Sequence, residues 1–71
     1  MPAEVTSAQQ ANSIAESFIK QYHSFFVARP KKAVREDGIW LVEIDVGLIT
    51  PKIAKVKVDA SSGEIVEYDI P

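Results

Sequence analysis

The chain of 71 residues contains no cysteine, so a disulfide framework and a thiolate metal site are both excluded. It also lacks any apolar run near the ~20 residues that a membrane-spanning helix needs. The residues after Met1 read PAEVT, without the basic start and apolar core of a secretion signal. We therefore expect no membrane span and a cytoplasmic location for the chain as written, although an exported domain without its leader would read the same.

An excess of charge of one sign is also missing. The chain has 8 basic and 10 acidic residues, a formal net charge of −2. This balance provides no general attraction to nucleic acid or to an anionic membrane, and we expect neither as a partner. Basic residues do cluster between positions 29 and 35, but no aromatic residues alternate with them to stack bases. We interpret the cluster as a solvated segment that discourages pairing at a sheet edge. Its members are Arg29, Lys31, Lys32 and Arg35.

The segment from Ala54 to Ile70 predicts a β-hairpin. Apolar residues occupy alternate positions in two runs, and the residues between them, DASSG, favour a turn. One register places apolar residues together on one face and opposite charges together on the other, worth roughly 0.2–1 kcal/mol for each charge pair. The pairs in that register are Val58 with Val66, Val56 with Tyr68, Ala54 with Ile70, Lys57 with Glu67, and Lys55 with Asp69.

The N-terminal part predicts a helix. Its start carries the S/T-x-x-Q spacing of a capping box, either Ser7 with Gln10 or Thr6 with Gln9. Apolar residues then recur at steps of three and four, small ones first and aromatic ones last, until Pro30 stops the helix. This stripe consists of Ala8, Ala11, Ile14, Ala15, Phe18, Ile19, Tyr22, Phe25 and Phe26.

Residues 31–35 form a candidate strand, followed by a turn at residues 36–38 in which a glycine supplies the positive φ. We favour a three-residue loop that sets Val34 beside Trp40, because it keeps the apolar side chains on one face. A two-residue Asp-Gly turn would instead oppose Val34 to Leu41.

The run from Ile39 to Val46 is the clearest strand, and a loop containing glycine and proline separates it from a third strand at about residues 52–59. The sheet has one apolar face and one face that carries acids and lysines. The charged face lies in water, so the helix must cover the apolar face. The acids and lysines of the charged face are Glu43, Asp45, Lys55, Lys57, Glu67 and Asp69. We predict one α+β domain over residues 1–71, with 1–5 as a disordered lead-in. Its architecture is an N-terminal helix packed on one face of a three- to four-stranded antiparallel β-meander.

No constellation for catalysis is visible. His23 has no second histidine or cysteine as a partner and is interpreted as a solvated helix residue. The carboxylates of the sheet stand beside lysines, which keeps them ionised rather than poised for acid–base chemistry. Residues 61–63 lack the glycine spacing and the lysine of a phosphate loop, and Asp59 is expected to accept hydrogen bonds from turn amides. We therefore expect no catalytic residue, no cofactor and no metal ligand, and so no enzyme.

Five apolar residues remain once the helix-facing side is filled, Ile65 among them. Leu48 and Ile49 stand at a loop tip, and Ile39 and Leu41 lie at one end of the outer face. Such residues form a candidate contact patch, since small domains with open sheet edges pair with other proteins or with copies of themselves. We predict that the chain binds a protein partner, or a copy of itself, through Leu48, Ile49, Ile39 and Leu41.

The strand that contains Trp40 and the later run from Val58 to Ile65, VDASSGEI, resemble the PepSY-type domain. That family's signature is a tryptophan-bearing strand and then V-D-A-x-[ST]-G-E-[IV], preceded by a helix rich in small and apolar residues. The resemblance implies a non-catalytic module, found in propeptides of secreted metalloproteases and in envelope proteins, that binds or restrains a protein partner such as a peptidase. Gas vesicle accessory proteins of the O type carry a similar pair of strands, which implies a structural or assembly role as the alternative.

Overall fold

The computed structural model describes residues 4–22 and 27–71, and within them one helix and four strands. In chain order these are α1 (Ala8–Tyr22), β1 (Arg29–Glu36), β2 (Ile39–Asp45), β3 (Ile53–Asp59) and β4 (Ile65–Asp69). The strands lie in the order β1-β2-β3-β4, each antiparallel to its neighbour. The predicted α+β fold, a helix on one face of an antiparallel meander, is confirmed. Within the same residues, no helix combines the length and the apolar character required to cross a bilayer.

The helix begins with a capping box formed by Ser7 and Gln10. The Gln10 amide donates to Ser7 Oγ at 3.2 Å, and Gln10 Oε1 accepts from the Ser7 amide at 3.2 Å. The same oxygen accepts from the Thr6 amide at 2.7 Å and from the Thr6 hydroxyl at 3.0 Å. Of the two predicted pairings, Ser7 with Gln10 is therefore the one that forms, and it satisfies amides that the first helical turn leaves without partners.

One stripe of α1 packs on the sheet, and two of its most buried members are alanines. Ala11, Ala15 and Ile19 are fully buried, with Ile14 and Phe18 partly buried beside them. Because an alanine side chain is a single methyl group, the helix backbone approaches the sheet closely here. The core residues of the sheet are Trp40, Val42, Ile44, Ala54, Val56 and Val58, and Val46, directly after β2, joins them.

Phe25 and Phe26, at the end of the predicted apolar stripe, and His23 lie outside the described residues. The prediction that Pro30 stops the helix is wrong. Pro30 lies inside β1, opposite Ile44, so the chain has already left the helix before this residue. Proline is tolerated there because β1 is an edge strand, where an amide hydrogen bond is not required on the outer side.

The lead-in to the helix is anchored at Val5, so the predicted disorder is wrong for this residue; residues 1–3 lie outside the described residues. Val5 is 1% exposed, and its amide donates to the Ala60 carbonyl at 2.7 Å. Its carbonyl accepts from Trp40 Nε1 at 2.9 Å. The Ala60 amide in turn donates to the Gly38 carbonyl at 2.9 Å. The lead-in, the first hairpin and the second hairpin therefore meet at one end of the sheet.

The β1–β2 turn is the two-residue Asp37-Gly38 turn, and the favoured three-residue loop is wrong. Asp37 has φ 50° and Gly38 has φ 76°, the left-handed pair that a type I′ hairpin turn requires. Val34 consequently lies opposite Leu41 rather than beside Trp40. The twist of a type I′ turn matches the twist of the two strands, and this local preference outweighs the gathering of apolar side chains on one face.

Three pairs of the predicted β3–β4 register are confirmed: Lys55 with Asp69, Val56 with Tyr68, and Lys57 with Glu67. Val58, however, faces Ile65 rather than the predicted Val66, because β4 contains a bulge. The turn is the cause, since the Asp59 amide donates to the Glu64 carbonyl at 2.8 Å and fixes these residues opposite each other. The charge pairs farther along then require one extra residue in β4, and Val66 takes that place.

Replacing Trp40 by phenylalanine removes the indole N–H but keeps an aromatic ring in the core. We expect the free energy of unfolding to fall by about 1–3 kcal/mol, because the buried Val5 carbonyl loses its donor. Urea unfolding followed by circular dichroism measures this change. Tyr68→Phe is the control, since Tyr68 is half exposed and its loss of a hydroxyl is expected to matter little. An unchanged stability in Trp40→Phe would show that this bond does not hold the lead-in.

Candidate functional site

The outer face of the sheet is the water-facing side that the alternation of charges predicts. Lys55 lies opposite a carboxylate on both neighbouring strands, and Lys57 Nζ is 2.9 Å from Glu67 Oε1. All three side chains are exposed. An exposed ion pair of this kind stabilises a fold by only ~0–1 kcal/mol, so these charges act chiefly by keeping the face in water.

Asp45 departs from this pattern. The alternation along β2 predicts Asp45 in water with the other charged residues of the face, but it is buried at 5% exposure. Its register partners are Arg29 and Ile53 rather than lysines. The expectation fails because residues 46–52, the β2–β3 loop, close around its carboxylate.

The Asp45 carboxylate joins the two ends of the β2–β3 loop. Its Oδ1 accepts from the Gly47 amide at 2.9 Å and from the Lys52 amide at 3.1 Å. The Val46 amide donates to the Lys52 carbonyl at 2.9 Å, which closes the loop a second time. From β1, Arg29 Nη2 donates to the Gly47 carbonyl at 3.0 Å and lies 3.6 Å from Asp45 Oδ2. The loop is thus fixed by backbone and side-chain bonds from two strands.

Gly47 is required by the tightness of this loop. A β-carbon at this position would overlap the Thr50 carbonyl oxygen and would lie 2.9 Å from the Lys52 amide nitrogen. Both obstacles are backbone atoms, so a side chain could fit only if the loop changed shape. The compact conformation therefore depends on glycine as well as on the carboxylate.

The pKa of the Asp45 carboxyl lies below its ordinary value of 3.8. The main causes are the hydrogen bonds from the Gly47 and Lys52 amides, which stabilise the charged form; desolvation opposes them, and the positive charges of Arg29 and Lys31 reinforce them. Because the pKa is lower in the folded than in the unfolded chain, the interaction stabilises the fold above pH 3.8. This stabilisation is lost as the pH falls below that value.

The β2–β3 loop holds two apolar side chains in water. Leu48 is 66% exposed and Ile49 is 97% exposed. Neither belongs to the core, whereas Val46 just before them does. The loop therefore presents a pair of apolar side chains at one end of the molecule from a fixed backbone.

The other two predicted contact residues lie elsewhere. Ile39 and Leu41 are half-buried near the start of β2, at the opposite end of the strand from the loop. Six strand steps separate Ile39 from Asp45, a distance of about 20 Å. The structure therefore does not bring the four residues into one patch: Leu48 and Ile49 form one group, and Ile39 and Leu41 another.

The second turn behaves as predicted. Asp59 Oδ1 accepts from the Ser61 amide at 2.8 Å and from its hydroxyl at 2.8 Å, and these bonds lower the pKa of the Asp59 carboxyl. In residues 4–22 and 27–71, no cluster of three or more histidine, cysteine or acidic side chains is arranged to hold a metal ion.

Sequence reasoning missed the bracing role of Asp45 and Arg29. A usable signal did exist for Asp45, because an aspartate followed two residues later by a glycine is typical of a carboxylate that accepts from the backbone of a turn. No local signal exists for Arg29, which reaches the loop from a strand 18 residues away in sequence.

No protein-family model, no curated protein and no solved structure matches this chain. The PepSY-type resemblance therefore stays a prediction from the residues of β2 and of the β3–β4 hairpin.

Replacing Asp45 by asparagine keeps the shape of the side chain and removes its charge. At neutral pH we expect this variant to unfold at a clearly lower urea concentration than the wild type, because a charged acceptor forms stronger hydrogen bonds and pairs with Arg29. The difference between the two proteins is expected to shrink as the pH falls below 3.8, where the wild type also loses the charge.

Glu43→Gln provides the matched control for this experiment, since this substitution removes one carboxylate from the same strand and face, at a residue that does not contact the loop. Protonation of Asp59 affects all three proteins alike and cancels in their differences. Equal stability of the wild type and Asp45→Asn at neutral pH would contradict the bracing role.

Proposed function

We propose that this protein is a non-catalytic protein-binding module that docks a partner through Leu48 and Ile49. The observation that carries the proposal is an isoleucine 97% exposed on a loop that a buried carboxylate holds in place. Two residues suffice to connect antiparallel strands, whereas this connection uses residues 46–52 and a buried aspartate. The additional structure supports the display of these side chains rather than the connection itself.

The energetics suit a weak or composite contact. Burying a leucine or an isoleucine side chain against a partner contributes ~1.5–3 kcal/mol, so the pair contributes about 3–6 kcal/mol. Because the loop is already ordered by Asp45, binding freezes few backbone degrees of freedom. Before the cost of association is subtracted, this contribution corresponds to a dissociation constant between roughly 10 mM and 50 μM, so tight binding requires further contacts.

The PepSY-type resemblance supports a partner of the kind that such domains restrain, for example a peptidase. The residues that carry the resemblance have structural roles. Trp40 donates to the Val5 carbonyl in the lead-in, Asp59 accepts from the Ser61 amide in the turn, and Gly63 adopts the positive φ of 78° in the same turn. The β2–β3 loop contains none of them. We therefore infer a PepSY-like scaffold whose partner is selected by this loop.

Self-assembly is a second candidate, which the separation of the apolar groups favours. Leu48 and Ile49 lie at one end of β2, and Val34, 37% exposed, lies opposite Leu41 toward the other end of the sheet. A loop of one copy seated on the Val34–Leu41 pair of the next would form a head-to-tail contact, the type that generates rings or filaments. This arrangement corresponds to the structural or assembly role.

The double substitution Leu48→Asp with Ile49→Asp tests the proposal. We expect the immobilised wild type to retain a partner from a lysate of its source organism, and the double variant to retain about tenfold less or lower, as for loss of a binding hot spot. Mass spectrometry identifies and quantifies the partner. The circular dichroism of the variant is expected to match that of the wild type, because both side chains are exposed.

Thr50→Asp is the control, since it adds a charge to the same loop without removing an apolar side chain. Sedimentation separates the two candidates: a mass that rises with concentration, and is lost in the double variant, assigns the loop to self-assembly. A partner held equally well by the double variant and the wild type would rule out docking through this loop.

A further inference from the structure

The two edges of the sheet differ in how they are protected against pairing. β1 carries Pro30, a bulge between Pro30 and Lys32, and a further lysine at position 31, and each of these discourages an added strand. β4 also contains a bulge, at Val66, but it has neither a proline nor a lysine, because its residues are IVEYD and no basic residue follows Lys57 in the chain. In the described part of the chain, no strand lies beyond β4. β4 is thus the edge open to another chain.

The helix leaves the inner side of β4 partly uncovered. α1 packs on β1, β2 and β3, and its Phe18 reaches Tyr68 with the ring centroids 4.9 Å apart. Tyr68, which faces Val56 on the inner side, is nevertheless 54% exposed, and Val66 at the bulge is 52% exposed. Beside them, a shallow groove of about 420 Å³ runs between α1 and the start of β4. Its lining residues are Ser13, Ile14, Ser17, Phe18, Gln21 and Ile65.

The outer side of the same strand is acidic. Glu67 and Asp69 are both exposed there, opposite Lys57 and Lys55 of β3. The lysines of β3 lie beside these carboxylates on one side. On the other side, where β4 has no neighbouring strand, the carboxylates have no basic partner from the sheet. Beyond the bulge, β4 thus presents the carboxylates of Glu67 and Asp69 outward and the ring of Tyr68 inward.

We propose that β4 accepts an extended segment of a partner protein as an added strand, in which basic and apolar residues alternate. β3 displays the matching pattern, since Lys55 and Lys57 face the acids of β4 while Val56 faces Tyr68. An added strand with the same alternation would place its basic residues beside Glu67 and Asp69. Its apolar residues would cover Tyr68 and the groove, which is the β-augmentation mode of peptide recognition.

A second copy of this chain is the poorer occupant. Two β4 strands paired antiparallel would bring Glu67 and Asp69 of one copy beside the same acids of the other, and like charges across a sheet are destabilising. The β1 edge of a second copy has the required basic charge, but Pro30 and the neighbouring bulge interrupt its hydrogen-bonding ladder. The charge pattern therefore fits a separate basic segment.

The edge of β4 is distinct from the Leu48–Ile49 loop, and each of the two proposals is tested independently of the other. Peptide binding at β4 is expected to be unchanged in Leu48→Asp with Ile49→Asp. Loss of the lysate partner in that double variant does not bear on β4.

The test uses the whole chain, labelled with ¹⁵N, and the acetylated and amidated peptides KVKVKVK, EVEVEVE and KVKPKVK. We expect KVKVKVK to shift the amide resonances of residues 66–69 in a saturable manner. The acidic peptide is expected to bind about tenfold more weakly, since its charges repel those of β4. The proline peptide is expected to lose a similar factor, because it cannot complete the ladder.

Val66→Lys places on β4 the kind of lysine that protects β1, and we expect it to weaken KVKVKVK binding by about tenfold. Val34→Lys, the same change at an exposed valine of the other edge strand, is the control and should bind as the wild type does. Glu67→Gln with Asp69→Asn, which removes charge without adding bulk, is expected to abolish the preference for the basic peptide.

Three results would overturn the proposal. The first is equal binding of the basic and acidic peptides, and the second is a set of shifted resonances on β1 instead of β4. The third is a dimer in the absence of peptide that Val66→Lys dissociates, which would assign the edge to a second copy.

Discussion

A single helix has to cover a four-stranded sheet, and most of the structure follows from that constraint. A helix with its side chains is about 10–12 Å wide, whereas the outer strands of such a sheet lie about 14 Å apart between their axes. Ala11 and Ala15 let α1 lie close to the sheet, where it contacts β1, β2 and β3. One whole face remains outside its reach, and the inner side of β4 is only partly covered, by Phe18 against Tyr68. The charged outer face, with its lysines and carboxylates, is how the chain keeps the larger of these surfaces in water.

The features that follow from local rules are predictable from the amino-acid sequence. The alternation in β2 and β3 identified the buried face, and the spacing of Ser7 and Gln10 identified the start of the helix. The charge pairs of Lys55 and Lys57 with the acids of β4 identified most of the second register. Each of these depends on residues that are neighbours in one element or across one hairpin.

The features that failed depend on contacts between distant segments or on competition between two local rules. Val5 joins the core, and its backbone is held there by Trp40, which is 35 residues away and donates to its carbonyl. Asp45 is buried because a loop and an arginine of another strand enclose it, which alternation along β2 does not reveal. Val66 is displaced because the turn at Asp59 and the charge pairs each impose a register, and the two differ by one residue.

The function we propose depends both on features that local sequence rules predict and on features that only distant contacts explain. The helix leaves Leu48, Ile49 and the edge of β4 uncovered, and the chain orders them by other means: a braced loop and a paired strand. Amide hydrogen exchange measured residue by residue by NMR tests this account most directly. We expect the Gly47 and Lys52 amides to exchange slowly, because both donate to Asp45, although both lie in a loop. Exchange at these two amides as fast as in an unstructured peptide would contradict it.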